Sequence, residues 1–420
     1  MISRWRWLLL LFARKLWLRV TLMAIVGVAT AVAGIVLPPY VPDAWTVKIG
    51  AQAIDGILNV LASSMLAVTV FSLSTMVAAY GAATTNVTPR ATRLLMEDNT
   101  SQNVLGTFIG SFLFSLVGII ALSTGAYGDQ GRAILLVVTI GLIVVIAATI
   151  LRWIDYLARF GRLSETIERV EEATWKAMET RLAHPYLGGR PFGHGEAGVP
   201  VTALPVFAEP IGYVQHIDVA ALQECAKTRD AQVFVKALPG AFADPSRPVA
   251  MVVGDETGEM GEAVAKAFTV GAERTFDQDP RFGLCVLAEI ASRALSPAVN
   301  DPGTAIDVIG RAVRLFIKWS RYESQASDKG VAFPNVWVPS IGAGDMFDDV
   351  FAPIARDGSG LLEIQLRLQK SFWALVVSGD DEFKAAARRH SAMALVRAEA
   401  DLRLDDEKNS VRMLAAAIKA

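Results

Sequence analysis

Charge is scarce in this chain of 420 residues, with only 20% Asp, Glu, Lys and Arg against 53% hydrophobic residues. Soluble domains run nearer a quarter charged, so neither a disordered chain nor an ordinary soluble protein fits. A net charge is also lacking, since 40 Lys and Arg face 42 Asp and Glu, and nucleic-acid binders carry a basic excess. There are two cysteines, Cys225 and Cys285, too few for a disulfide framework and too far apart for a zinc motif. The four histidines, His184, His194, His216 and His390, have no metal-ligand spacing. No phosphate-binding Gly-rich loop with its Lys-Ser/Thr ending, no dinucleotide fingerprint and no Gly-x-Ser-x-Gly elbow occurs. The expectation is therefore of no cofactor, no resident metal and no enzyme activity.

What the chain has instead is long apolar runs. Four, approximately 16–37, 57–80, 104–124 and 133–151, are each long enough for the roughly 20 helical residues that cross a hydrocarbon core. The last three contain no charged side chain, and the first has only Arg19 near its start, where a long stem can reach the headgroups. Residues 1–151 are thus expected to be a transmembrane domain. Cations in the short connections orient it: Arg4, Arg6, Arg14 and Lys15 precede the first run, Arg90 and Arg93 follow the second, and Arg152, Arg159 and Arg162 follow the fourth. The other two loops hold one cation each, Lys48 and Arg132. The positive-inside rule then places both termini on the cytoplasmic side.

Two features of these runs bear on function. Gly106 and Gly110 form a Gly-x-x-x-Gly pair, continued by Gly118, and removing side chains lets a second helix approach closely. Contact inside one bundle or between protomers of a homo-oligomer would use such a face. The second run carries Asn59, Ser63, Ser64, Thr69, Ser72, Ser74 and Thr75. Hydroxyls can line a water-filled path, so Asn59, Ser64, Ser72 and Thr75 are the candidate pore lining; they can equally bond back to their own helix.

Beyond the membrane, the apolar rhythm of Ile154, Leu157, Phe160, Ile167, Val170 and Met178 predicts one connecting helix over 152–185. Short β-branched runs broken by Pro and Gly predict a small β module over 186–260. Helical patterns at 282–295, 303–320, 344–355, 361–377 and 381 onward predict a helical bundle over 261–420. The whole reads as an α+β membrane protein, a four-helix transmembrane bundle followed by a cytoplasmic domain with a small β module and a helical bundle.

Two polar clusters in this half could bind something. Asp345, Asp348 and Asp349 suggest a cation site, but acids in a helix's first turn also favour its dipole. The segment Ser296-Pro297-Ala298-Val299-Asn300-Asp301-Pro302-Gly303-Thr304 sits between two apolar helices, and its prolines stop either helix from running through. Asn300 or Asp301 can cap the second helix with Pro302 at its first position. Alternatively Ser296, Asn300, Asp301 and Thr304 form a site for a small ligand or ion, because side-chain oxygens lie beside free N–H groups at a helix start.

That proline-bounded segment, the run GYVQHID at 212–218 and the run TPRATRLLMEDNTSQNVLGTFIGSFLF at 88–114 together resemble the bacterial family of predicted membrane proteins called domain of unknown function 2254. The resemblance implies a bacterial inner-membrane protein with N-terminal membrane helices and a cytoplasmic domain, and names no activity and no catalytic residues. The expectation is a polytopic, homo-oligomeric membrane protein, a channel or passive permeation path with a regulatory domain. Its alternative is a non-conducting membrane-anchored sensor or scaffold.

Overall fold

A computed structural model describes residues 3–13, 15–36, 51–96, 98–192, 198–255, 258–325 and 330–419. Arg14, Leu37, Pro38, Pro39, Lys48 and His194 lie outside them. The chain divides into two compact units: Leu8–Thr166, and Met1–Trp7 with Ile167–Ala420.

Among the described residues the first unit contains four helices long and apolar enough to cross a membrane: α2 (Leu16–Val36), α3 (Ala51–Asn86), α5 (Asn99–Ser123) and α6 (Asp129–Arg159). A short α1 (Arg4–Ala13) precedes them, and α4 (Pro89–Met96) joins α3 to α5. At 1.5 Å per residue the 36 residues of α3 span about 54 Å, well beyond the hydrocarbon core. Apolar side chains turned outward, among them Val60, Phe71, Val77, Val137, Val144 and Leu151, are what lipid-facing surfaces require. Inside, Leu61, Met65, Met76, Leu105, Phe108 and Ile146 form one cluster, and Ile54, Leu58, Phe114, Tyr127 and Leu135 another. At the start of α5, Asp98 accepts from the Ser101 N–H (2.9 Å) and the Tyr156 hydroxyl (2.9 Å), so one carboxylate caps α5 and ties it to α6.

The single connecting helix expected over 152–185 is two helices. The first is the end of α6, which stops at Arg159; the second, α7, runs Leu163–Ala183. Gly161 between them has a φ of 79°, a conformation that a residue with a Cβ reaches at a cost and that no α-helix continues through. The apolar rhythm continues across the break, which is why the pattern hides it.

The second unit takes in most of α7 and, among the described residues, then lays down eight strands and two short helices: β1 (Gly189–Phe192), β2 (Leu204–Val206), β3 (Gly212–Ile217), α8 (Val219–Thr228), β4 (Gln232–Val235), β5 (Phe242–Ala243), β6 (Ala250–Val253), α9 (Met260–Lys266), β7 (Phe268–Gly271) and, much later, β8 (Phe333–Pro339). One sheet has the order β1-β8-β4-β6-β2, the other β5-β3-β7. β8 pairs in parallel with both β1 and β4, whereas β4–β6 and β6–β2 are antiparallel. The β module is therefore not confined to 186–260, because one of its interior strands comes from the segment expected to be all helical. Asn335 fixes that strand: its backbone N–H donates to the Gln223 side chain of α8 (2.9 Å), and its amide donates to the Ala231 carbonyl (3.0 Å). Val206, Val214, Ile217, Leu222, Val233, Val235, Val252, Val264, Phe268, Val336 and Val338 make the shared core of the module.

The remainder is helical: α10 (Pro280–Ala294), α11 (Pro302–Gln325), α12 (Ala343–Asp357), α13 (Leu362–Ser378), α14 (Asp381–Asp401) and α15 (Asp405–Lys419). Phe316, Phe347, Phe351, Phe372 and Phe383 meet stacked, tilted or edge-on at its centre, burial that dominates such a core.

Candidate functional sites

The Gly-x-x-x-Gly face lies between helices of one chain. A Cβ on Gly110 would stand 2.7 Å from the Met23 carbonyl oxygen of α2, and one on Gly27 would run into the carbonyl of Gly110. A Cβ on Gly106 would meet the Met23 side chain at 3.1 Å, and one on Gly118 would meet Leu58 of α3 at 3.0 Å. α2 and α5 thus touch backbone to backbone along Gly27 and Gly110, and Gly118 admits a leucine of α3. This is close packing between small residues, the means of helix association where lipid supplies no hydrophobic drive.

The polar residues of α3 do not share one environment. Asn59 is exposed, Ser64 and Thr75 are half-buried, and Ser72 is fully buried. Ser64 donates to the Val60 carbonyl (2.6 Å), Thr69 to Met65 (2.6 Å) and Thr75 to Phe71 (3.0 Å), each one turn back in the same helix. Asn59 donates to the carbonyl and carboxylate of Asp55 (both 3.1 Å). Back-bonding of this kind satisfies a hydroxyl without water or ion. Ser72 differs, since its Oγ is buried with no hydrogen-bond partner among the described residues.

In the proline-bounded segment the loop closes on itself. The Ser296 hydroxyl donates to the Arg293 carbonyl (2.7 Å), and the Asn300 N–H donates to the Ser296 carbonyl (2.9 Å). Asn300 has a φ of 51°, a left-handed conformation that Asn tolerates better than most residues. Asp301 is the cap of α11: Oδ1 accepts from the Thr304 N–H (3.1 Å) and Oδ2 from the Thr304 hydroxyl (2.6 Å). These bonds, the Thr304 hydroxyl first, hold the Asp301 carboxyl below the usual carboxylate range. The oxygens of Ser296, Asp301 and Thr304 are thereby occupied within the loop, while the Asn300 side chain stays exposed.

The acids at the start of α12 are matched by cations. Arg281 of α10 donates to Asp349 (2.6 and 3.1 Å) and Asp345 (2.8 Å). Asp348 accepts from Arg389 (2.9 Å) and lies 3.0 Å from Nε2 of His390. These contacts clamp α12 between α10 and α14. His390 is buried among Phe347, Phe351 and Phe372, and burial with the nearby Arg389 pushes it down to about 4 despite Asp348, so at neutral pH its ring is uncharged.

Two arrangements in the second unit carry no sequence motif. The first is an amino-terminal clamp. The Arg4 N–H donates to Asp218 (2.7 Å), the Arg4 guanidinium to the Lys266 carbonyl (2.6 Å), and the Trp7 indole N–H to Asp277 (3.2 Å), while the Trp7 ring stacks on His216 at 5.1 Å. Trp7 is buried there. The second is a buried ionic cluster at the start of α10. Asp279 caps the helix through the Phe282 N–H (3.1 Å) and receives Arg274 in a two-point pair (2.7 and 3.0 Å). Arg274 also donates to Cys285 Sγ (3.5 Å), whose thiol burial pushes up to about 11. The signal for both was present as Trp and Arg among acids, but only the fold brings residues 4–7 beside 216–277.

A family model described as "Predicted membrane protein (DUF2254)" matches residues 13–373. Among curated proteins, an uncharacterized protein of Mycobacterium bovis is 26% identical over 263 residues, which is 60% of this chain and 50% of the relative. Uncharacterized proteins of two Mycobacterium tuberculosis strains match with the same identity and coverage. The chain thus spans about half the length of the curated relatives it matches. No solved structure matches it.

Proposed function

The chain belongs to the family of predicted membrane proteins of unknown function 2254, and from that premise and the geometry above we propose that it is a non-enzymatic, membrane-anchored sensor or transducer. The observation that carries this reading is the amino-terminal clamp. α1 begins in the second unit, held by Asp218, Lys266, Asp277 and His216, and ends in the membrane unit just before α2. A change of state in the β module reaches the first membrane helix through that grip, and movement of the helix reaches the module. The oxygen ligands and nucleophile constellations of an enzyme are not what the sequence offers, and the acids that cluster are spent on arginines.

An even number of spans puts both ends on one side, and the cations at Arg90, Arg93, Arg152 and Arg159 favour the cytoplasmic side of the inner membrane. Self-association is part of the proposal, since the mostly apolar outer faces of α3 and α6 can meet a second copy as well as lipid. A second reading, a homo-oligomeric permeation path, is favoured by one observation: Ser72 buried in a spanning helix with its hydroxyl unbonded among the described residues. Purified wild-type protein in proteoliposomes, assayed with the common cations and anions at both polarities, separates the two. The sensor reading expects no flux. Reproducible flux that disappears in Ser72→Leu, with expression and oligomer size unchanged, would replace it with the channel.

A further inference from the structure

We propose that Arg181 is the centre of a buried site for a small monovalent anion, set beside the Arg274–Asp279 pair at the start of α10. Arg181, on α7, is 3% exposed, and none of Nε, Nη1 and Nη2 has a hydrogen-bond partner among the described residues. A guanidinium carries five N–H donors and cannot lose its charge at physiological pH. Burying it unpaired is among the most costly things a fold can do. Even with burial lowering it to about 10, it remains a cation at neutral pH.

The neighbouring carboxylate does not account for it. Asp279 is the acid whose charge Arg181 feels, yet both Asp279 oxygens are engaged by Arg274, and Oδ1 also takes the Phe282 N–H. The next arginine, Arg281, is matched by Asp345 and Asp349. Arg181 and Arg274 share one carboxylate, Asp279, and its oxygens are spent on Arg274, so the Arg181 guanidinium has no bonded counter-charge among the described residues, and the amino-terminal end of α10 adds the same sign. Protonation of Asp279 would remove the negative charge that acts on Arg181.

Size and charge define the occupant. An almost wholly covered guanidinium is reached by an ion of a few atoms, not by a nucleotide or a lipid headgroup. One unbonded guanidinium is paired by a monovalent ion such as a halide, nitrate or a short carboxylate, for which the planar fork of donors is suited. The position is fixed by packing: two turns before Arg181, Thr174 fills the space over Gly283 of α10, where a Cβ would stand 2.7 Å from the Thr174 Cβ. The site is independent of whether the protein senses or conducts.

The test uses full-length protein in detergent at constant ionic strength, with chloride, bromide, nitrate, formate or acetate replacing gluconate, and follows the thermal midpoint. Wild type should show a saturable rise with at least one small anion over gluconate, and the ranking identifies halide or carboxylate. Arg181→Met, similar in length and uncharged, should lose that rise, whereas Arg356→Met, at an exposed and already paired arginine, should keep it. If Arg181→Met does not fold, Arg181→Lys keeps the charge and loses the fork; its half-saturating concentration should be at least tenfold higher. Identical midpoints in all anions would overturn the site, as would a rise retained in Arg181→Met or at unchanged half-saturation in Arg181→Lys.

Discussion

Gly110→Ala is the sharpest test of how the membrane unit is held together. The added Cβ would stand 2.7 Å from the Met23 carbonyl oxygen and 3.2 Å from its carbon, both backbone atoms that cannot rotate aside. Restoring an ordinary contact of 3.4 Å from 2.7 Å moves α2 and α5 apart by about 0.7 Å. A gap of that size forfeits roughly a quarter to a half of each van der Waals well across the seam. With about 0.1–0.2 kcal/mol per atom pair and on the order of 20–40 pairs in such a seam, the cost is about 1–3 kcal/mol, the range of overpacking generally. Gly141→Ala on α6 is the control, because a Cβ there meets nothing within 4 Å. Thermal unfolding in one detergent should show Gly110→Ala clearly less stable than Gly141→Ala. Gly27→Ala, which strikes the Gly110 carbonyl, should add less than its own cost when combined with Gly110→Ala, since the helices have already separated. Equal midpoints for Gly110→Ala and Gly141→Ala would refute the backbone contact.

Three further outcomes are expected. Asp301→Ala should cost about 0.5–2 kcal/mol through loss of the α11 cap, and Asp301→Ser should recover most of it; chemical denaturation measures both, and a Ser variant no better than Ala would show that the carboxylate does something besides capping. His390 stays neutral in the fold to about pH 4 while the unfolded chain takes up a proton below about 6.5, so its contribution is complete above 6.5 and is lost as pH falls toward 4, by about 3 kcal/mol at most. His390→Gln should flatten the stability profile in that window, and an unchanged slope would refute the neutral ring. Cysteine introduced at Gly128, between α5 and α6, should react with a membrane-impermeant reagent in intact cells, and cysteine at Glu165 should not, with Cys225 and Cys285 replaced by Ala; the reverse pattern would invert the orientation.

Local patterns made some elements legible and left others hidden, for identifiable reasons. The four apolar runs are self-contained signals, because a spanning helix satisfies its own backbone, and α3, α5 and α6 extend each by several polar residues at the ends. α8 starts where Asp218 caps it, through the Ala221 N–H at 3.1 Å, and α10 starts at a Pro after Asp279, both sequence-readable. β8 was not legible, since Phe333-Pro334-Asn335-Val336-Trp337-Val338-Pro339 carries prolines at its second and last positions and its partners β4 and β1 lie about 100 and 145 residues earlier. The second half of the carboxy-terminal helix was read as one with the first, but Leu402 ends α14 and α15 starts at Asp405. Arg181 was invisible for a different reason: Glu179-Thr180-Arg181 reads as the solvated face of a helix, and nothing in a helical period says that one charged position turns inward.

The place of β8 in its sheet has a consequence for the order in which the protein is made. β8 lies between β1 and β4, yet about 80 residues, including all of α10 and α11, leave the ribosome between β6 and it. Until then β2, β6 and β4 can pair only as a three-stranded piece with β4 as a bare edge, and β1 has no partner at all. Valines 233 and 235 of that edge are wholly buried in the finished molecule, so the nascent chain displays an apolar, unpaired strand for several seconds at ordinary rates of synthesis. Closure by a parallel strand from far along the chain is a slow, non-local step. Truncations before residue 340 should therefore be aggregation-prone whatever their membrane half does.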